Sequence, residues 1–121
     1  MKRIEISEEQ IVGGIQLVKP VGKLDVFTFI DLKKYFEELC ARMPQGLKVV
    51  VDLSGVEYIA SSGWSVLLSR RQAIQRQAGD LSVFGMNDNL RRVYDSMKID
   101  RMLPSAAGQE DAVRLLKVVQ P

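Results

Sequence analysis

The sequence predicts an α/β fold: a small mixed β-sheet packed with about four α-helices. Three observations carry this reading. "LKVVVDL", residues 47–53, is a β-branched run with few polar residues, as expected of a central strand covered on both faces. From Phe29 the apolar positions Phe29, Leu32, Phe36, Leu39 and Met43 keep the spacing of an amphipathic helix. Short strands of the first kind then alternate with helices of the second along the chain, the pattern of helices laid on a sheet. At 121 residues the chain has the length of one domain with a sizeable core, so 1–121 is read as a single unit; it shows no internal repeat, low-complexity segment or linker.

The elements follow in order. Residues 2–6 are expected to form the first strand and 12–19 the second. Gly13-Gly14 supplies hairpin chemistry, and Pro20-Val21-Gly22 marks a loop. The helix from Phe29 stops at "MPQG", because Pro44 disfavours helical geometry in the residue before it. After the central strand come a turn at Ser54-Gly55, an extended "VEYI", and a second helix. That helix carries Trp64, Leu67, Ile74 and Ala78 on one face and ends near Gly79. "LSVFGM" reads as a further strand. A third helix, with Leu90, Val93, Tyr94 and Met97, follows "NDN", where Asn or Asp can cap it. Ala112, Leu115, Leu116 and Val119 mark a last helix.

Composition narrows the function. Seventeen basic against fifteen acidic side chains leave a formal charge of +2, which gives no electrostatic case for nucleic acid or an anionic membrane as the main partner. A single cysteine, Cys40, excludes an internal disulfide and fits a reducing compartment. "MKRIEISEEQ" places charges where a signal peptide carries its apolar region, and no apolar run reaches the roughly 18–20 residues that cross a bilayer. A cytoplasmic domain is expected. Catalysis finds little support: there is no histidine, the commonest general base and metal ligand. No phosphate-cradling glycine loop follows a predicted strand, and the acidic residues lack metal-loop spacing. Cys40 sits at helical spacing from Phe36 and Met43 and reads as a core thiol rather than a nucleophile. The expectation is a chain that is not an enzyme and has no cofactor or metal of its own.

The informative seam is Ala60-Ser61-Ser62-Gly63, two hydroxyls between an extended segment and a helix. Ser61 or Ser62 falls at or one step before the first helical turn, where a hydroxyl can accept a hydrogen bond from an unpaired backbone N–H. The same position suits a phosphate, because free N–H groups and the positive end of the helix dipole face it. Residue chemistry alone permits both readings. Trp64 has two as well, a core-facing ring or an exposed anchor for a partner. Arg70 and Arg71 read as solvated helix charges, with a rim role beside Trp64 as the alternative.

The segment "VVVDLSGVEYIASSGWSVLLSRRQAI" resembles the signature of the STAS domain, found in bacterial anti-anti-sigma factors and appended to sulfate transporters. Asp52-Leu53-Ser54-Gly55-Val56, Tyr58-Ile59 and Ser61-Ser62-Gly63 carry the likeness. "VGKLDVFT", Val21 to Thr28, is similar to the family's loop before the first helix, and "LSVFGMNDNLRRVYDSMKIDRML" to its following strand and helix. Roughly residues 8 to 118 are covered.

By that resemblance Ser61 is the phosphorylated serine, with Ser62 its neighbour and the alternative acceptor, and Asp25 lies in the loop beside the site. The partner surface implied includes Asp25, Ala60, Ser62, Gly63 and Trp64, on the 21–28 loop, the serine turn and the second helix. The resemblance implies an interaction module that binds an anti-sigma factor with serine-kinase activity and so frees a sigma factor. The kinase holds the ATP, phosphorylates the serine to end binding, and a phosphatase resets it. Ala60 departs from the pattern, since the family carries Asp there; its loss removes a charge and a hydrogen-bond acceptor from the loop. The alternative implied is a STAS subunit of an ABC-type membrane transport complex, bound to the ATPase subunit and never phosphorylated.

Overall fold

A computed structural model of the chain describes residues 4–117. The elements are β1 (Glu5–Ile11), β2 (Ile15–Leu24), α1 (Phe29–Arg42), β3 (Lys48–Asp52), β4 (Val56–Ile59), α2 (Ser61–Arg76), β5 (Asp80–Phe84), α3 (Asp88–Ser96), a 3₁₀ turn (Ile99–Arg101), β6 (Ser105–Ala106) and α4 (Gln109–Arg114). The strands join in the order β1-β2-β3-β5-β6, with β4 paired to β2 alone. β1 and β2 are antiparallel; every other pairing is parallel. The mixed sheet with four helices is the architecture the sequence predicts.

Strand β2 explains the unusual layout. Its residues 16–18 pair with β3, while Gly22 to Leu24 pair with β4, and the register shifts between Gly22 and Lys23. Pro20 lies between the two sets of parallel partners, so its missing N–H breaks no parallel pairing, while on its other side it stands opposite Ile6 of β1. One long strand thus passes from the centre of the sheet to the end that carries the serines.

The valines of β3 divide the core. Val49 and Val51 face the larger cluster with Leu32, Phe36 and Leu39 of α1, Leu67 and Ile74 of α2, and Leu90 and Tyr94 of α3. Val50 faces the other side with Ile15, Leu17, Phe84 and Ala112 of α4. A strand buried on both faces needs this nearly continuous apolar run.

Several boundaries differ from expectation. Residues 2 and 3 of the expected first strand lie outside the described residues. The first two strands run on to Ile11 and Leu24 rather than ending at 6 and 19, and the second begins at Ile15 rather than 12, because the reversal falls on Gly13 (φ 89°) and Gly14 (φ 72°), both left-handed. The expected loop at residues 20–22 is part of β2. Helix α2 stops at Arg76, and Ala78 is not on its face but beyond its end, at φ 64°. Leu115 and Leu116 lie just past α4, and Val119 lies outside the described residues. Arg71 is no solvated charge. Its side chain is 12% exposed, and its Nε lies 3.0 Å from the fully buried Asp80 carboxylate.

Candidate functional site

Two turns meet at one end of the sheet. The first is Asp25-Val26-Phe27-Thr28, leading into α1. The Asp25 carboxylate accepts from the N–H of Phe27 at 2.9 Å and of Thr28 at 3.0 Å, while the Thr28 hydroxyl accepts from the Asp25 N–H at 3.0 Å. This reciprocal pair repeats the pattern of a capping box in the turn before α1: each side chain accepts from the backbone N–H of the other residue. The Phe27 N–H, then that of Thr28, holds the Asp25 carboxyl below its ordinary value. Asp25 therefore organises the loop and adds a negative charge to it.

The second turn is Ile59-Ala60-Ser61. Leu24 of β2 pairs with Ile59 of β4, and the Ala60 N–H donates to the Leu24 carbonyl at 2.8 Å, so the serine turn lies against the residue before Asp25. The structure brings Asp25, Ala60 and Ser61 together from residues more than thirty apart in sequence. Gly63 holds the contact close: a Cβ there would stand 2.9 Å from Ile59 Cγ2 and 3.1 Å from Leu24 Cβ.

Ser61 is the first residue of α2 and is exposed. The hydroxyl cap expected from Ser61 or Ser62 is not made, because the helix begins a step earlier than that reading required. Ala60 holds the N-cap position, and no side chain caps the helix. Ser62 is partly buried, and its Oγ is buried without a hydrogen-bond partner. Of the two hydroxyls, only that of Ser61 belongs to an exposed residue.

Trp64 is 3% exposed and packs on Tyr94 with ring centroids 6.1 Å apart, so its ring belongs to the core. Of its two expected roles this is the core-facing one, not the exposed anchor; Gly63 is buried beside it. Helical phase puts both on the face of α2 turned toward β4 and α3.

Sequence reasoning missed how apolar the surroundings are. Phe27 (66% exposed), Val26 (63%), Tyr58 (53%) and Val21 (42%) all present carbon surface to solvent near the two turns. A cleft of about 440 Å³ opens beside them, lined among others by Val21, Lys23, Asp25, Thr28 and Glu57. The available signal was the burial conflict within "VEYI": Val56 and Ile59 both point inward, which leaves the intervening Glu57 and Tyr58 outside.

Elsewhere, burial pushes the Cys40 thiol up, with Arg70 opposing it, away from the thiolate that nucleophilic chemistry needs. No group of acidic or thiol side chains among the described residues has the arrangement of a metal site. No helix among them is long and apolar enough to cross a membrane.

Comparison with known proteins agrees with this architecture. The chain is 26% identical over 106 residues to the anti-sigma F factor antagonist of Paenibacillus polymyxa, covering 88% of this chain and 90% of that one. It is 25% identical over 111 residues to the anti-sigma-B factor antagonist of Bacillus subtilis, covering 92% and 98%. The crystal structure of an anti-sigma factor antagonist from Mycobacterium paratuberculosis superposes with a TM-score of 0.79 at 24% identity, over 92% of each chain, a likeness of fold. The family model for the STAS domain matches residues 7–112. Nearly the whole described sheet and all but the tail of α4 lie in that match, and the chain belongs to the STAS domain family.

Proposed function

We propose that this chain is an anti-sigma factor antagonist of the phosphorylation-switched kind. Its unphosphorylated form binds an anti-sigma factor that is also a serine kinase, and phosphorylation of Ser61 ends the association. One observation carries the reading: Ser61 is an exposed hydroxyl at a helix start, beside solvent-facing Val26, Phe27 and Tyr58. Aromatic side chains free on a surface are what protein interfaces select for. The names of the curated relatives supply the class of partner. A kinase partner would hold the ATP, and a phosphatase would restore the hydroxyl.

A phosphate adds roughly −1.5 to −2 charges at neutral pH. An interface formed against a neutral hydroxyl must then desolvate that charge or leave a gap. A like charge or an unpaired polar group at such a contact costs several kcal/mol, and each ~1.4 kcal/mol is tenfold in affinity. The partner is identified by pull-down from the native organism with mass spectrometry, scoring phosphosites in the same sample. Ser61→Asp, with about half the charge, weakens binding to that partner at least tenfold without unfolding the domain. Ser61→Ala keeps binding and blocks modification. Equal affinity of wild type and Ser61→Asp would refute the switch and favour a constitutive subunit, of the kind that docks on a transporter ATPase.

A further inference from the structure

The first turn of α2 has donors without acceptors. Ala60 occupies the N-cap with extended dihedrals (φ −77°, ψ 167°) and offers no side-chain oxygen. The first intrahelical bonds run from the Gly63 and Trp64 N–H groups to the Ala60 carbonyl, at 2.9 and 3.1 Å, leaving the N–H groups of Ser61 and Ser62 without an intrahelical acceptor. The Ser62 hydroxyl in the same turn is buried and has no partner either. Helix α3 shows what is missing: there Asn87 is the N-cap, and its side chain accepts from the Leu90 N–H at 2.8 Å. A cap of that kind is the ordinary way to satisfy a helix start. In α2 the place is taken by a methyl group, and an exposed serine stands one residue along.

We propose that in this chain a phosphate on Ser61 serves as the missing cap of α2, so that modification tightens the helix start as well as altering the partner surface. The inference rests on the proposed function only for Ser61 being the modified residue. In the transfer, Ser61 Oγ bonds to the γ-phosphorus of the kinase's ATP, the bond to the departing ADP breaks, and the hydroxyl proton passes to a base in the kinase. The ester then carries three acceptor oxygens within the turn that holds the open N–H groups, at the positive end of the helix dipole. An Asp at position 60 would compete for the Ser62 N–H, within reach of an N-cap side chain, and set a like charge beside the phosphate. Ala60 therefore decides whether modification stabilises the fold.

The test needs neither kinase nor partner. Phosphoserine is incorporated at position 61 during translation, in chains carrying Ala60, Ala60→Asp or Ala60→Asn, and each is compared with its unmodified form. With Ala60, the phosphate raises the melting temperature by about 3 °C. Its second ionisation, followed by phosphorus NMR, falls below the value of about 6 typical of phosphoserine. In both variants the unmodified chain melts higher than wild type and the gain from phosphate is lost; the neutral Asn separates competition for the donors from charge repulsion. An unchanged or lower melting temperature on phosphorylation of the Ala60 chain overturns the inference, as does an equal gain in all three backgrounds. The two readings fail separately. Loss of partner binding with no thermal gain removes the cap and leaves the switch; a thermal gain with unaltered partner affinity does the reverse.

Discussion

Asp80 has no exposed surface and still carries a carboxylate, so every donor around it matters. One oxygen accepts from Arg71 Nε at 3.0 Å and from the Leu81 N–H at 2.8 Å; the other accepts from the Lys117 N–H at 2.6 Å. Arg71 also donates to the carbonyls of Leu81 and Met102. The pair ties α2, β5, the 3₁₀ turn and the segment after α4 to one point. Removing one member of a buried pair strands the other, at a cost of about 3–5 kcal/mol. Arg71→Leu should lower the unfolding free energy in urea by that order, while Arg70→Leu, one residue away, should cost much less. Equal losses at the two positions would show that the buried pair is not what matters. This role was not legible in the sequence. The doublet Arg70-Arg71 on a surface helix reads as two solvated charges, and only the phase of α2, with the chain reversal after it, selects which one meets Asp80.

Elements were legible where a single local force decides them and obscure where partners decide. Pro44 stops α1 at Arg42, and "NDN" caps α3 through Asn87, as local chemistry requires. The partner exchange along β2 was not readable, because residues 20–22 carry turn chemistry while their pairing with β1 and β4 is a long-range fact. The end of α2 shows the same limit. Ala78 fits the apolar phase of the helix, yet the chain must reverse there so that the Asp80 N–H can reach the Leu47 carbonyl at 3.0 Å and open β5. Ala78 is forced to φ 64°, with the Gly79 N–H closing back on the Ile74 carbonyl at 3.0 Å. A left-handed residue with a Cβ carries a strain of about 1–2 kcal/mol, partly offset in glycine by its larger unfolded-state entropy. Ala78→Gly should therefore stabilise the protein by about 0.5–1 kcal/mol, read as a higher urea midpoint at constant slope. A lower midpoint would mean that the Ala78 methyl packs usefully enough to outweigh the strain.

At the scale of the whole molecule, the sheet separates what holds the domain together from what it presents. β2 begins at the Gly13-Gly14 hairpin and ends at Leu24 beside the serine turn, nine residues later, so its two ends are about 30 Å apart. Both ends expose apolar side chains: Val12 at the hairpin is 95% exposed, and Phe27 and Tyr58 at the far end are 66% and 53% exposed. Carbon surface alone therefore does not mark the site. Phe27 and Tyr58 differ from Val12 in standing on the first turn and on the strand that leads into the second. At that end of the sheet the Ala60–Leu24 hydrogen bond joins the two turns, and the one exposed hydroxyl of the Ser61-Ser62 pair lies there. Because these rings are already in water, truncating them removes little that folding buries, and surface changes of this kind stay within about 0.5 kcal/mol of neutral. Their loss from a partner interface is another matter, since an aromatic hot spot contributes about 2 kcal/mol or more. Phe27→Ala and Tyr58→Ala should each weaken binding to the partner captured with the wild-type chain by at least tenfold, with melting temperatures nearly unchanged. Val12→Ala, at the opposite end of the same strand, should alter neither. Were Val12→Ala to weaken binding while the two aromatic variants bound normally, the contact surface would lie at the hairpin end, and the reading of Ser61 as its switch would lose its physical basis.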